Sequence, residues 1–97
     1  MNILVLNGPN LDKLGARQVE IYGKKSLKMM MQELQDLANY HGDYIEWRQT
    51  SSEGELVDWI NKVDCEKVDA IILNPGAYAH YSIAIYDAIK CISIPTI

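Results

Sequence analysis

The chain has 97 residues and a mass of 11.0 kDa, which fits a single small domain over residues 1–97. Nine basic and 13 acidic side chains give a net charge of −4, and this acidic balance argues against nucleic-acid binding. The composition, 48% apolar and 23% charged, excludes wholesale disorder, and no apolar run is long enough to span a membrane. Cys65 and Cys91 lack metal-ligand spacing, so we expect reduced thiols in a cytoplasmic protein.

The first half of the chain predicts a strand, a long loop and a helix. Residues Asn2–Leu6 form a short apolar run that ends at the turn Asn7-Gly8-Pro9-Asn10, which is typical of a buried strand. The apolar residues between Leu11 and Lys25 follow neither a helical nor a strand period, so this stretch is predicted to be a loop. Loops of this length in small domains are usually functional or mobile. Ser26 then caps a helix whose apolar side chains lie three and four residues apart, and Gly42 ends it.

The second half alternates strands and helices at shorter intervals. Ser51 or Ser52 is the expected N-cap of the second helix, because acidic residues follow in its first turn. The expected elements are a strand at Tyr44–Arg48, a helix at about Glu53–Val63, a strand at Val68–Leu73, a helix at about Tyr81–Cys91 and the start of a strand at Ser93–Ile97.

The alternation of strands and helices predicts the fold class. Strand-helix-strand units form right-handed connections on a parallel sheet, and helices cover both faces of such a sheet. The chain ends inside the fourth strand, without a closing helix. We therefore expect an α/β, doubly wound domain whose last strand and helices are missing.

Two loops form the expected ligand site, because open α/β sheets bind ligands beyond the carboxyl ends of their strands. They are residues 7–23 after the first strand and residues 74–81 after the third, and each opens with an asparagine. Asn7, Asn10 and Asn74 offer carboxamide groups to a ligand. Each also has an alternative, structural role at its turn or strand end.

Other side chains of these segments suggest acid–base chemistry. Arg17 lies five residues before Tyr22, and a nearby guanidinium lowers the pKa of a phenol from about 10, which makes a general base. Alternatively, Arg17 is a solvated charge and Tyr22 a packing residue. His80, before the third helix, is either a site residue or a capping group, and Asp87 on that helix is by default a solvated residue.

Other kinds of site are not indicated by the sequence. It has no metal-ligand spacing, no nucleophile elbow and no phosphate-binding loop. The turn at residues 7–10 lacks the glycine spacing of such a loop, and Pro9 has no N–H to offer a phosphate. We therefore expect neither a metal nor another cofactor.

Three motifs together resemble a known family. NGPNLDKLGARQVEIYG at residues 7–23 resembles the signature NGPNLNxLGxRxPxxYG of type II 3-dehydroquinate dehydratase. Residues 53–60, EGELVDWI, are similar to its EGELIDWI helix, and residues 74–80, NPGAYAH, to the start of its NPGAYTHTS loop. The motifs occur in the family order and cover essentially the whole chain, so the resemblance is specific.

The resemblance implies a flavodoxin-like, three-layer sandwich and a cytoplasmic lyase of the shikimate pathway. Enzymes of this family dehydrate 3-dehydroquinate to 3-dehydroshikimate by anti elimination through an enolate, without a metal or a Schiff base. They form trimers that assemble into dodecamers. We therefore expect a homo-oligomer whose other partner is a small-molecule substrate, with neither nucleic acid nor membrane as a partner.

The family roles carry over to matching residues of this sequence. Tyr22 corresponds to the base that removes the C2 proton, and Arg17 to the residue that stabilises the tyrosinate. Asn10 corresponds to a residue that positions the base and the water near the developing enolate oxygen, an electrostatic role. The substrate-binding residues that the resemblance implies are Asn74, His80 and Asp87, the last across a subunit contact.

The sequence also departs from the family pattern. Asp12 replaces an asparagine, Val19 replaces a proline, and Ala79 and Tyr81 replace threonines, so the hydroxyl pocket is expected to differ. After SIPTI the family continues with a Glu-Val-His segment that carries the general acid, and then with a carboxylate-binding loop and a substrate arginine. General acid catalysis typically contributes about 10²–10⁴-fold to a rate, so its loss matters.

Two further functions compete with a dehydratase. A truncated, catalytically inactive remnant would at most bind a cyclic polyol acid, and the missing general acid favours this alternative. A flavodoxin-like nucleotide binder is disfavoured, because the glycines of a phosphate loop are absent from the sequence.

Overall fold

The computed structural model describes residues 1–13, 25–80 and 82–97, with His80 described by its backbone only. The strands and helices are β1 Asn2–Asn7, α1 Leu27–Tyr40, β2 Tyr44–Gln49, α2 Glu53–Lys62, β3 Ala70–Asn74 and α3 Ile83–Lys90. The three strands form one parallel sheet in the order β2-β1-β3. The α/β class and the parallel sheet predicted from the sequence are therefore confirmed.

Residues 95–97 add to the free edge of β3, within the fourth strand predicted at Ser93–Ile97. The N–H of Ile71 donates to the carbonyl of Pro95 at 2.9 Å, and Ile71 also pairs in parallel with Thr96. The predicted strand is thus confirmed in position, although it is reduced to a single bridge. The resulting order, 2-1-3-4, matches the first four strands of the flavodoxin-like order 2-1-3-4-5.

Alternate side chains of β1 enter two cores, one on each face of the sheet. Leu4 and Leu6 face α2 and α3, whereas Val5 faces α1. The first core comprises the buried residues Leu4, Leu6, Leu56, Ile60, Val63, Ile71, Ile85 and Ala88. The second comprises Val5, Leu27, Met31, Ala38 and Ile45. Each fully buried leucine or isoleucine contributes about 1.5–3 kcal/mol to folding, so the helices on the two faces hold the sheet between them.

Serine side chains define where the first two helices begin. The Ser26 hydroxyl accepts the N–H of Met29 at 3.2 Å, so the predicted cap of α1 is confirmed. For α2 the cap is Ser52 and not Ser51, because the Ser52 hydroxyl accepts the N–H of Glu55 at 3.2 Å. An N-cap of this kind satisfies one of the backbone donors that the first turn of a helix leaves unpaired.

Two predicted element starts were wrong by two residues each. The third helix, α3, begins at Ile83 and not at Tyr81, because the hydroxyl of Ser82 caps it by accepting a backbone N–H at 3.1 Å. The third strand, β3, begins at Ala70 and not at Val68, because its parallel ladder with β1 starts at Ala70. Both differences are at element ends, where pattern-based boundaries are least certain.

Candidate active site

The carboxyl ends of the three strands lie side by side and present polar residues. Asn7, Gln49 and Asn74 are the last residues of β1, β2 and β3, and Asn7 is in register with both of the others. We refer to this end of the sheet, where the carboxyl ends of all three strands lie, as the strand-end edge. Because open α/β sheets bind ligands there, and because the predicted site loops 7–23 and 74–81 leave from it, it is the candidate site.

Asn7 has a structural role at this edge. It is only 3% exposed, and its amide donates to the carbonyl of Arg48 at 3.3 Å and contacts the sulfur of Met31 at 3.7 Å. A buried amide without a partner would cost about 1–3 kcal/mol, and the hydrogen bond offsets that cost. Asn7 therefore has a structural role, but the expected hydrogen bond within its own turn was wrong, because its partner is the carbonyl of Arg48 on the neighbouring strand.

The two site loops pack against each other through their backbones. The N–H of Gly8 donates to the carbonyl of Asn74 at 2.8 Å. A Cβ on Gly8 would lie 2.4 Å from the carbonyl oxygen of Pro75. A Cβ on Gly76, whose φ is +61°, would lie 3.0 Å from the carbonyl oxygen of Pro9. The close approach favours glycine at both positions, and we refer to this reciprocal contact of two glycines and two prolines as the glycine–proline interlock.

Asn10 and Asn74, two of the predicted site residues, are both exposed at the strand-end edge. Asn10 has a φ of +66°, a conformation that asparagine tolerates better than most residues, and its carbonyl accepts the N–H of Lys13 at 3.1 Å. The amide oxygen of Asn74 accepts the N–H of Gly76 at 3.4 Å. Each asparagine therefore shapes a turn and also remains accessible to a ligand.

The loop after β2 joins the same edge through contacts that the sequence does not indicate. The amide of Gln49 donates to the carbonyl of Gly8 at 3.2 Å. The hydroxyl of Tyr78 donates to the carbonyl of Ser51 at 2.9 Å. Neither Gln49 nor Tyr78 is a predicted site residue. The one feature of the sequence that could have indicated a role for Tyr78 in the site was its position inside the NPGAY motif.

His80 and Asp87 lie in different parts of the fold. His80 ends the 3-10 helix Gly76–His80, in the loop that follows β3. Asp87 is exposed on α3, about 6 Å along the helix axis from Ile83, at the rise of 1.5 Å per residue of an α-helix. The structure thus places the backbone of His80 in a site loop and Asp87 on the outer surface of a helix.

Several sequence-based predictions concern residues outside the described ranges. Arg17, Val19, Tyr22 and Tyr81 belong to this group, so the pairing of Arg17 with Tyr22 stays a prediction. Of the other departures from the family pattern, Asp12 is exposed in the short turn after β1, and its carboxylate lies 3.9 Å from the ammonium group of a neighbouring lysine.

Within residues 1–13, 25–80 and 82–97, no three His, Cys, Asp or Glu side chains are grouped so that they could hold a metal ion. Cys65 and Cys91 are free thiols, and both are exposed. Of the helices in this part of the chain, none is long and apolar enough to cross a membrane.

A cavity of 330 Å³ lies at the opposite edge of the sheet, beside the amino ends of the strands. Asn2 and Tyr44, which begin β1 and β2, line it, as do the charged residues Glu66 and Lys67. None of its lining residues is one of the predicted site residues. Since ligands of this fold class bind at the carboxyl ends of the strands, the strand-end edge remains the candidate site.

Comparison with known proteins identifies the family. Residues 1–97 match the model of the family Dehydroquinase class II. The 3-dehydroquinate dehydratase of Caldicellulosiruptor bescii is 50% identical over 95 residues, which are 98% of this chain and 66% of that protein. The 3-dehydroquinate dehydratase of Clostridium perfringens is 46% identical over 97 residues, which are 100% of this chain and 67% of that protein.

A solved structure agrees with this family. The crystal structure of type II dehydroquinase from Butyrivibrio crossotus has a TM-score of 0.95 and 38% sequence identity, covering 99% of this chain and 67% of that chain. The chain thus spans about two thirds of the length of the relatives it matches. The flavodoxin-like fold implied by the resemblance is confirmed. The chain belongs to the class II dehydroquinase family.

Proposed function

We propose that this protein dehydrates 3-dehydroquinate to 3-dehydroshikimate, as a cytoplasmic lyase of the shikimate pathway. The observation that carries the proposal is the family match over residues 1–97. Relatives named 3-dehydroquinate dehydratase, at 50% and 46% identity, support it. The reaction is an anti elimination through an enolate, and protein side chains carry it out without a cofactor.

The base in this proposal is Tyr22. Its phenolate takes the C2 proton and becomes a phenol, and the electron pair moves onto the ketone oxygen to form the enolate. As the enolate returns to the ketone, the carbon–carbon double bond forms and the bond to the leaving hydroxyl group breaks, and the hydroxide takes a proton from solvent to depart as water. Arg17 favours the phenolate, because a guanidinium stabilises the charged form of a neighbouring phenol. Support for both roles comes from the motif at residues 7–23.

Asn10 is a catalytic residue in this proposal, and Asn74 and His80 bind the substrate. Asn10 lies near the enolate oxygen, where an amide donor stabilises the negative charge that develops there. Asn74 and His80 hold the ring hydroxyl groups. The glycine–proline interlock supports this assignment, because it holds the loops that carry Asn10 and Asn74 in a fixed relation, and donors held in advance stabilise a transition state best.

Asp87 acts across a subunit contact in this proposal, in trimers that assemble into a dodecamer. The surface of α3 supports this, because Ile83 is 81% exposed and Tyr86 is 59% exposed on the helix that carries Asp87. Large apolar side chains that are exposed together are typical of protein–protein contacts. The proposed assembly covers these side chains and brings Asp87 to the strand-end edge of another subunit.

Binding without turnover is the alternative function. Residues 1–97 contain two histidines, and neither matches the one that the family uses as general acid. His41 is the C-cap of α1, and His80 is assigned to substrate binding. In this alternative the protein at most binds a cyclic polyol acid and does not turn it over, because the general acid, which contributes about 10²–10⁴-fold to a rate, is missing.

Enone formation from 3-dehydroquinate tests the proposal. Mass-verified protein is expected to form the conjugated enone, and Tyr22→Phe to lose about 100-fold or more in kcat, because the general base is removed. Tyr44→Phe makes the same chemical change at the opposite edge of the sheet, where Tyr44 is 62% exposed, and is expected to keep full activity. Saturable binding without turnover would establish the alternative, and the absence of both would refute both functions.

A further inference from the structure

Tyr78 joins two loops whose strands are not neighbours in the sheet. Because β1 lies between β2 and β3, the ladder makes no direct hydrogen bond between the other two strands. The hydroxyl of Tyr78 crosses this gap and donates to the carbonyl of Ser51 at 2.9 Å. The hydrogen bond therefore connects the loop after β3 to the loop after β2, over the end of β1.

The Ser51 carbonyl, which accepts this hydrogen bond, lies between two residues whose backbones are themselves hydrogen-bonded. Thr50, just before Ser51, is buried and donates its N–H to the carbonyl of Asn7 at 3.0 Å. Ser52, just after it, caps α2 and donates its N–H to the hydroxyl of Thr50 at 3.1 Å. Since both neighbours are hydrogen-bonded, the Ser51 carbonyl has a defined position relative to β1.

The donor lies between the glycine–proline interlock and His80. The interlock holds Gly76, and Tyr78 follows two residues later in the 3-10 helix Gly76–His80. The carbonyl of Tyr78 accepts the N–H of Ser82, the N-cap of α3, at 2.9 Å. The hydrogen bond of Tyr78 to Ser51 therefore restrains the turn that ends at His80 and the start of α3.

We propose that Tyr78 is a positioning residue for the reaction, because its hydrogen bond to Ser51 sets the place of the loop that carries His80. The inference rests on the proposed function, in which His80 holds a ring hydroxyl of the substrate. Tyr78 acts through this loop and not on the substrate. One hydrogen bond is worth about two- to tenfold in an equilibrium, so substrate binding is expected to weaken by about that factor when the hydroxyl is removed.

Tyr78→Phe isolates this hydroxyl. The ring of Tyr78 is half-buried against the core that faces α2 and α3, and phenylalanine keeps this packing. Tyr44→Phe serves as the matched control, since Tyr44 is exposed at the other edge of the sheet. For both variants, KM and kcat for 3-dehydroquinate are measured, together with amide hydrogen exchange of residues 76–82 and the urea midpoint.

The expected result for Tyr78→Phe is a KM raised about two- to tenfold, a kcat within about twofold of the unsubstituted protein and faster exchange confined to residues 76–82. The control is expected to change none of these. An unchanged KM with unchanged loop exchange overturns the inference. So does faster exchange throughout the sheet with a large fall of the urea midpoint, because the hydroxyl would then support the whole fold.

Failure of the proposed function gives a different result. In that case the unsubstituted protein itself forms no enone from 3-dehydroquinate. The exchange of residues 76–82 does not depend on turnover, so its response to Tyr78→Phe still decides whether the hydroxyl holds the loop.

Discussion

Gly8→Ala is expected to separate the two site loops. Gly8 is buried, and a Cβ there would lie 2.4 Å from the carbonyl oxygen of Pro75 and 2.6 Å from its carbonyl carbon. Both atoms belong to the backbone, which cannot rotate out of the way as a side chain does. The loops must therefore move apart, which weakens the hydrogen bond from the Gly8 N–H to the carbonyl of Asn74, now 2.8 Å long.

The expected loss of stability is large for a domain of this size. Overpacking a well-packed position typically costs about 1–3 kcal/mol, and a lost hydrogen bond costs about 0.5–1.5 kcal/mol. Together they predict that Gly8→Ala lowers the free energy of unfolding by about 2–4 kcal/mol. Native domains have about 5–15 kcal/mol in total, so this is a substantial fraction.

Urea unfolding measures the effect. With a slope of about 1–3 kcal/mol per molar urea, a loss of about 2–4 kcal/mol lowers the midpoint of Gly8→Ala by about 0.7–4 M. Gly54→Ala is the matched control, because its Cβ would meet only the Ser52 hydroxyl at 3.8 Å. Alanine is favoured over glycine in a helix by about 0.5–1 kcal/mol, so this midpoint is expected to rise slightly. Equal midpoints for Gly8→Ala and the unsubstituted protein would refute the interlock as a close contact.

Two further predictions concern a helix cap and the chain's first residue. Ser52→Ala is expected to lower the free energy of unfolding by about 1 kcal/mol and Ser51→Ala by less than about 0.5 kcal/mol, so equal falls of the two urea midpoints would contradict the assigned cap. The Asp43 carboxylate, 2.9 Å from the Met1 α-amino group, raises the pKa of that amine from its ordinary value of 8.0 by accepting a hydrogen bond and by its charge. The stabilisation is complete below pH 8.0 and is lost as the pH rises through the raised pKa of the amine, so the urea midpoint is expected to fall in that range. An equal fall in Asp43→Asn would show that the ion pair between Met1 and Asp43 is not its cause.

The elements of the fold could be predicted because their signals are local. Helix caps, turn residues and apolar spacing act over a few neighbouring residues, and they placed β1 at Asn2–Leu6, one residue short of the observed Asn2–Asn7. The parallel arrangement followed from the alternation of strands and helices. The same local signals left Ser51 and Ser52 equivalent as caps, because only the backbone conformation decides which hydroxyl meets a first-turn N–H.

The candidate site could be predicted in part for a topological reason. Carboxyl ends of parallel strands meet at one edge, so the loops of Asn10 and Asn74 were expected to come together, and the structure brings both loops there. Gln49 and Tyr78 were missed because each donates to a backbone carbonyl of another loop. Every residue has a backbone carbonyl, so no residue type in the sequence indicates such a partner. The burial of Asn7 likewise could not be predicted from the sequence, because its hydrogen-bond partner lies on β2, a distant segment of the chain.

The sequence by itself determined the fold class, the order of the elements and the family to which the chain belongs. Only the tertiary structure decided which loops touch, because those contacts join residues far apart in the chain. Gly8 meets Pro75, Gly76 meets Pro9, and Tyr78 reaches a carbonyl 27 residues away. Local patterns determine whether a segment becomes a helix or a strand, whereas the shape of the site depends on how the packed sheet places the ends of those segments.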